Sequence, residues 1–166
     1  MPGRDQLEDQ IIKGIEAMIG SEYLLLDADA CSFYAQDVFT KGLSAVAVVR
    51  PGNTDELCAV VKSLTAAGHA VIPRGGGMSY TSGYVPALTG SVIVDLGRMD
   101  RIITINKEDM YVTVESGCTW KALYEALENS GLRTPFWGTL SGIKATVGGG
   151  LSQNSIFWGS GQFGSA

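Results

Sequence analysis

The sequence predicts an α+β fold of two small α/β lobes, the first built on a parallel β-α-β unit. Three observations carry that expectation. Two short apolar runs, VAVV (46–49) and AVIP (70–73), flank an amphipathic helical stretch with tight connections, as a parallel crossover requires. Three more strand-like runs, SVIVD (91–95), RIITI (101–105) and YVTVE (111–115), follow one another without intervening helices. Glycine supplies 22 of the 166 residues, nearly twice its usual share of about 7%. The glycines gather at 75–77, 148–150 and 159–164, where they mark loops.

Taken in order, Leu7, Ile11, Ile12, Ile15, Met18 and Ile19 fall at helical spacing and predict an amphipathic helix over 5–19. A short helix is expected near 28–35. After the strand VAVV, PGN (51–53) makes a turn, and Asn53 with Glu56 resembles a capping box. Leu57, Val60, Val61 and Leu64 line one face of the next helix, which stops at Gly68. The strand AVIP ends where the triple glycine begins. RIITI and YVTVE form a hairpin joined by NKED (106–109). A further helix follows, capped by Thr119, with Trp120, Leu123, Tyr124 and Leu127 on its inner face. Beyond Pro135 the chain reads as a long loop leading into TVGGG. This divides the chain into an N-terminal helical segment (1–40), a first lobe ending in the glycine loop (41–83) and a second lobe (84–166).

Composition excludes several functions. The net charge is −5 and the basic residues are scattered, which disfavours nucleic acid and anionic lipid, since both require a basic patch. Cys31, Cys58 and Cys118 are odd in number and widely spaced. They support neither a zinc site nor a disulfide framework and are read as buried free thiols. The acidic residues of 1–20 argue against a signal peptide. No run approaches the length of a membrane span, and the expected location is cytoplasmic.

The chemistry lies in the loops. Consecutive glycines let successive N–H groups converge on one point, a nest suited to phosphate or diphosphate. The triple glycine also follows the carboxyl end of a parallel strand, where open α/β sheets bind ligands. Arg74 either adds positive charge there or braces the loop through carbonyls, and Ser79 offers a hydroxyl. GSGQFG (159–164) matches the dinucleotide fingerprint letter for letter. No strand leads into it and the following helix and acidic residue have no room, so the match is read as fortuitous. No GxxxxGK[ST] is present. His69, the single histidine, sits at a helix end and is read as facing solvent or capping carbonyls. Trp137 and Trp158 are read as packing residues, while Tyr34 and Tyr80 are weak candidates for touching a cofactor.

Five segments, in order, resemble the FAD-binding domain of the vanillyl-alcohol oxidase and para-cresol methylhydroxylase family of FAD-linked oxidoreductases. They are VVRPGNTDEL, AGHAVIPRGGGMSY, VDLGRMDRII, VTVESGCTWKALYEAL and TVGGGLSQN, the last followed by a glycine near FG. The resemblance spans Ala45 to Ala166. It implies the PCMH-type fold, in which two α+β lobes clasp an extended FAD. It further implies that Pro73, Arg74, Gly75, Gly76, Gly77, Met78, Ser79 and Tyr80 hold the diphosphate. Thr139, Leu140, Ser141, Thr146, Val147, Gly148, Gly149, Asn154 and Gly164 would lie along the cofactor from the second lobe. The glycines at 148–150 would let backbone approach a flat ligand.

Met78 departs from many relatives, which carry at that position a histidine bonded covalently to the flavin. The thioether cannot form that link, so non-covalent FAD is expected. Relatives also run much longer, with a substrate domain after this segment. The chain therefore reads as a C-terminally truncated portion or one chain of a split enzyme, inactive alone, with no assignable catalytic base. The implied activity is oxidation of an alcohol or 2-hydroxy acid, a small-molecule substrate, by hydride transfer to FAD. TVGGGLSQN also looks like a segment of UDP-N-acetylenolpyruvoylglucosamine reductase, an NADPH and FAD enzyme. A non-catalytic nucleotide-binding module is the third alternative.

Overall fold

The runs VAVV, AVIP and SVIVD become the three parallel strands of one sheet. In the computed structural model, which describes residues 9–166, that sheet contains β1 (Leu24–Leu25), β2 (Ala47–Val49), β3 (Val71–Arg74) and β4 (Val92–Asp95), in the order β1-β2-β4-β3. β1 runs antiparallel to β2, while β2, β4 and β3 are parallel. The connection from β2 to β3 passes through helix α3 (Thr54–Ala66). These two strands are parallel but not adjacent, because β4 lies between them. Val92, Ile93 and Val94 are at most 1% exposed. Ala47, Val48 and Val49 are fully buried as well, so the two internal strands, β2 and β4, are the ones covered on both faces.

Side chains alternate across a strand, and the two faces collect different partners. Helix α1 (Asp9–Ile19) and α3 send Ile15, Ile19, Val60 and Leu64 onto Ala47, Val49, Val92 and Val94. Helix α2 (Ala28–Tyr34) and the residue after it set Cys31 and Ala35 against Val48 and Ile93 on the opposite face. Fully burying one such Val, Ile or Leu contributes about 1.5–3 kcal/mol. The part of the first helix expected over 5–8 lies outside the described residues.

The helix starts follow the sequence signals. Asn53 Oδ1 accepts the Glu56 N–H at 2.9 Å, and Glu56 Oε2 reaches back to accept the Gly52 N–H at 2.7 Å. The box thus closes one residue before its usual reciprocal donor. Asp27 caps α2 by accepting from the Ala30 N–H at 2.8 Å. Thr119 caps helix α4 (Trp120–Glu128) through the Ala122 N–H at 3.1 Å.

The second unit, Met99–Ala166, carries the antiparallel hairpin of β5 (Ile102–Asn106) and β6 (Tyr111–Val114). Asn106 Oδ1 shapes its turn by accepting the Glu108 and Asp109 amides. Helix α4 follows, then a 3₁₀ turn at Leu140–Gly142, helix α5 (Val147–Ser152) and the single turn α6 (Ser160–Phe163). The division falls after Arg98 rather than at the expected 83/84, because β4 pairs within the first sheet. The same sheet takes in β1, so the N-terminal helical segment is part of the first unit.

Two expectations about burial change. Cys58 is exposed, whereas Cys31 and Cys118 are buried; on α3, Cys58 falls outside the stripe set by Val60 and Leu64. Tyr124 is 36% exposed and its hydroxyl donates to Glu128 at 3.1 Å. The inner face of α4 is therefore Trp120, Leu123 and Leu127. No helix among the described residues is long and apolar enough to cross a membrane.

Candidate functional site

The three parallel strands end in charge: VAVVR, AVIPR and SVIVD finish at Arg50, Arg74 and Asp95. Register places Arg74 opposite Asp95 and Val49 opposite Val94, so the three charges stand at one edge. Asp95 is 6% exposed, and Arg50 Nε lies 3.4 Å from its Oδ2 as an ion pair without hydrogen-bond geometry. Asp95 Oδ1 accepts the Gly97 N–H at 2.8 Å. Two guanidiniums against one carboxylate leave this edge electropositive, although the chain as a whole is acidic.

The triple glycine begins there. Among the described residues, the amides of Gly75, Gly76, Gly77 and Met78 donate to no protein acceptor. Gly77 has φ of 68°, and a Cβ there would run into the Arg74 guanidinium, 2.6 Å from Cζ. The Arg74 guanidinium lies 4.7 Å from the Tyr34 ring centroid and 5.3 Å from that of Tyr84. The Arg74 guanidinium is held by two aromatic faces, and its buried Nε has no hydrogen-bond partner among the described residues, so no bracing through carbonyls is seen at that atom. Burial, and then the Asp95 carboxylate, pushes the Tyr34 phenol up, and burial pushes up that of Tyr84. Both phenols therefore keep their protons, and the rings meet the guanidinium through their faces.

Past the glycines the loop is pinned to the stretch following α2. Ser79 carbonyl oxygen accepts from the Tyr84 hydroxyl and the Val38 N–H, each at 3.4 Å. The Ser82 N–H donates to Asp37 Oδ2 at 2.8 Å. Tyr80 is 64% exposed and meets Phe39 edge-on at 6.4 Å. Tyr34, a weak candidate for touching a cofactor, lies against the Arg74 guanidinium. Sequence reasoning missed Arg50, Asp95, Asp37 and Tyr84. The signal for the first two was available, since each parallel strand closes on a charged residue.

The remaining expected cofactor residues lie in the second unit. Thr139, Leu140 and Ser141 line a cavity of about 870 Å³ with Trp137, Ile156, Phe157 and Trp158. Leu140 and Ser141 are consecutive non-glycine residues in the left-handed region, at φ 49° and 60°, and Asn154 is a third at φ 48°. Such conformations cost energy and concentrate at ligand sites. Trp137 and Trp158 are joined by an antiparallel bridge, and Trp158 is 83% exposed. Core packing, the expectation for Trp158, does not hold.

The glycine run at 148–150 answers mainly to packing. A Cβ on Gly148 would stand 2.7 Å from the Ser116 carbonyl oxygen, and one on Gly150 would stand 2.8 Å from the Phe157 ring. Thr146 is buried and caps α5 by accepting the Gly149 N–H at 3.2 Å, and Val147 is 8% exposed. Gly149 meets only that cap oxygen, at 2.9 Å, so of the three it alone is spared a close neighbour outside its own helix. Asn154 and Gly164 are exposed and do not line the cavity. Gly159 and Gly164, both at positive φ, bracket the four-residue α6, so GSGQFG spans a single helical turn.

His69 Nδ1 lies 2.9 Å from the Gly90 carbonyl oxygen, capping the chain ahead of β4. Burial pushes the thiols of Cys31 and Cys118 up, which keeps them protonated and unreactive. Among the described residues no group of His, Cys, Asp and Glu is arranged to hold a metal.

Within the first unit, amides with no acceptor among the described residues stand at an electropositive sheet end and suit an anionic group such as a diphosphate; within the second unit, a cavity with aromatic lining suits a flat ring. Residues 45–166 match the family described as FAD binding domain. The chain is similar to the mitochondrial D-lactate dehydrogenase [cytochrome] of Arabidopsis thaliana, 31% identical over 147 residues, covering 87% of this chain and 25% of that protein. It is similar in structure to the 4-ethylphenol oxidase of Gulosibacter chungangensis in its isoeugenol complex, with TM-score 0.66 and 36% identity. That match covers 74% of this chain and 24% of the oxidase. The fold is also that of p-cresol methylhydroxylase with substrate bound, with TM-score 0.76 and 22% identity over 89% of this chain and 30% of that one. The chain spans about a quarter of the length of the curated relatives it matches. On the family match over 45–166, the chain belongs to the FAD binding domain family.

Proposed function

We propose that the chain is the FAD-holding part of an oxidoreductase that takes hydride from the carbon of an alcohol or a 2-hydroxy acid, with FAD bound non-covalently. The observation that carries this reading is the row of backbone donors at Gly75–Met78, which meet no acceptor among the described residues and are set beside Arg50 and Arg74. Those amides hold the diphosphate, while Ser79 and Tyr80 flank it. Thr139, Leu140 and Ser141, with Gly149, Asn154 and Gly164, serve the rest of the cofactor from the second unit. Thr146, Val147 and Gly148 act indirectly, by fixing α5.

Bound FAD supplies the hydride acceptor; this chain's residues bind it, orient it and exclude water. Met78 stands beside the loop amides, and its thioether forms no bond to the flavin. The substrate is a small molecule, for which the Arabidopsis relative's name offers D-lactate. Its binding groups come from a companion chain or from a further C-terminal domain. Free Cys31, Cys58 and Cys118 suit a reducing compartment such as the cytoplasm.

The test is spectroscopic. The purified protein carries a yellow chromophore that passes into the supernatant on acid precipitation, and it bleaches anaerobically with D-lactate or glycolate once the substrate-binding part is supplied. Bleaching with NADPH alone favours the reductase alternative. Binding of other nucleotides but not FAD favours a non-catalytic module. Flavin that stays with the precipitated polypeptide refutes the non-covalent assignment.

A further inference from the structure

We propose that Asp37 is a positioning residue for the glycine loop, and that Tyr34–Thr40 straps that loop into its binding shape. The proposal rests on the FAD reading above for its function, though not for its geometry. The strap lies ahead of the residues that match the FAD-binding family, 45–166.

The physical need comes from the loop itself. Three glycines in succession carry the largest backbone entropy of any tripeptide, and Gly75–Met78 form no backbone donor bonds within the described chain. A segment of that kind adopts one shape only if both its ends are fixed. The upstream end is fixed by β3, which pairs Arg74 with Asp95, and by the Tyr34 ring 4.7 Å from the Arg74 guanidinium. Tyr34 closes α2, so this first anchor already belongs to the strap.

The downstream end has no strand of its own. Asp37 fixes it with one carboxylate. Oδ1 accepts the Phe39 and Thr40 amides at 2.8 and 2.6 Å, which folds the strap on itself. Oδ2 accepts the Ser82 amide at 2.8 Å, across 45 residues of sequence. Three N–H donors on one carboxylate are charge-assisted bonds. Burial would raise the Asp37 carboxyl, yet these donors hold it below its ordinary value. Ser82 sits at φ 60°, a conformation that costs energy for a serine and needs an outside partner to persist. Further ties run beside it: the Val38 N–H to the Ser79 carbonyl at 3.4 Å, the Ser82 hydroxyl to Thr40 Oγ1 at 3.3 Å, and the Leu43 N–H to the Pro86 carbonyl at 3.0 Å. Asp37 touches none of the loop amides assigned to the diphosphate, so its action is through the loop.

Asparagine separates the two halves of this role. In Asp37→Asn the amide oxygen still accepts Phe39 and Thr40, while the amide nitrogen, a donor, faces the Ser82 N–H. The strap stays folded and its link to the loop is lost. The experiment compares wild type, Asp37→Asn and Ser82→Gly in the full chain by amide hydrogen exchange without FAD and by FAD titration. Ser82→Gly keeps the N–H and relieves the positive φ.

The expected result is about tenfold faster exchange at Ser82 in Asp37→Asn, with Ile93 and Val94 in β4 unchanged, and FAD binding weakened about five- to tenfold. Ser82→Gly keeps the N–H bond to Asp37 and loses only the longer hydroxyl tie to Thr40, so it exchanges more slowly at position 82 and binds FAD more tightly than Asp37→Asn. Unchanged exchange at Ser82 in Asp37→Asn overturns the strap. Faster exchange in β4 as well makes Asp37 a general stabiliser and overturns positioning. If wild type binds no FAD, the functional reading fails, and the exchange comparison still decides the strap.

Discussion

Replacing Gly77 with alanine tests the loop geometry at its tightest point. The new methyl would carry two burdens. One is the left-handed φ of 68°, which costs an L-residue roughly 1–2 kcal/mol. The other is collision with the Arg74 guanidinium, which must leave the Tyr34 and Tyr84 rings, each contact contributing about 0.5–1 kcal/mol. The full effect is about 2–4 kcal/mol. The share that falls on the loop's competent shape reduces FAD affinity by at least about tenfold, since about 1.4 kcal/mol is one decade. Gly68→Ala is the control. Gly68 has φ 81° and nothing within 4 Å of a Cβ, so it carries the backbone cost without the collision. Fluorescence titration with FAD and thermal unfolding on both variants separate the effects. The account predicts that both melt earlier and that Gly77→Ala alone binds FAD poorly. Equal FAD binding by the two variants would refute the reasoning.

Other consequences follow from the same structure. Ile93→Ala, at a fully buried position against Cys31, Ala35 and Val48, should cost about 2–5 kcal/mol, whereas Ile103→Ala, 59% exposed, should stay within about 0.5 kcal/mol; denaturant melts check both. Gly148→Ala improves helix propensity by about 1 kcal/mol, but its methyl would press on the Ser116 backbone at 2.7 Å. The net effect is therefore destabilising, as thermal unfolding would measure. Glu115 accepts from the Arg101 guanidinium at 2.6 Å and its N–H at 2.9 Å, and the Arg101 hydrogen bond holds its carboxyl below the usual range. A depressed folded value means the stabilisation is complete above the unfolded carboxyl's pKa and disappears as pH falls through the folded one. Wild type should thus lose its advantage over Glu115→Gln on acidification, measured by melts across pH.

Local signals made the first unit largely readable. The Asn53–Glu56 box, the stripe of Val60 and Leu64, and the strands on either side all lie where the periodicity puts them. Strand order was not readable, because β4 enters between β2 and β3 through contacts far apart in sequence. β1, two residues long, is too short to leave a pattern. At the candidate site, the bare backbone of 75–77 was visible as composition, and the resemblance gave it a ligand. What composition hid was the support. Asp37 and Tyr34 reach the loop only through the tertiary fold, and Gly148 and Gly150 look like ligand-facing glycines until Ser116 and Phe157 appear beside them. The left-handed pair Leu140–Ser141 carries no glycine to announce it.

The central claim is that main-chain N–H groups of the glycine loop hold the diphosphate of FAD. Amide NMR of the full chain, titrated with FAD and separately with riboflavin, which lacks the diphosphate, examines those groups directly. The account predicts large shifts at Gly75, Gly76, Gly77 and Met78 with FAD and none with riboflavin. FAD binding that leaves these four amides unmoved, or riboflavin shifting them equally, would contradict it.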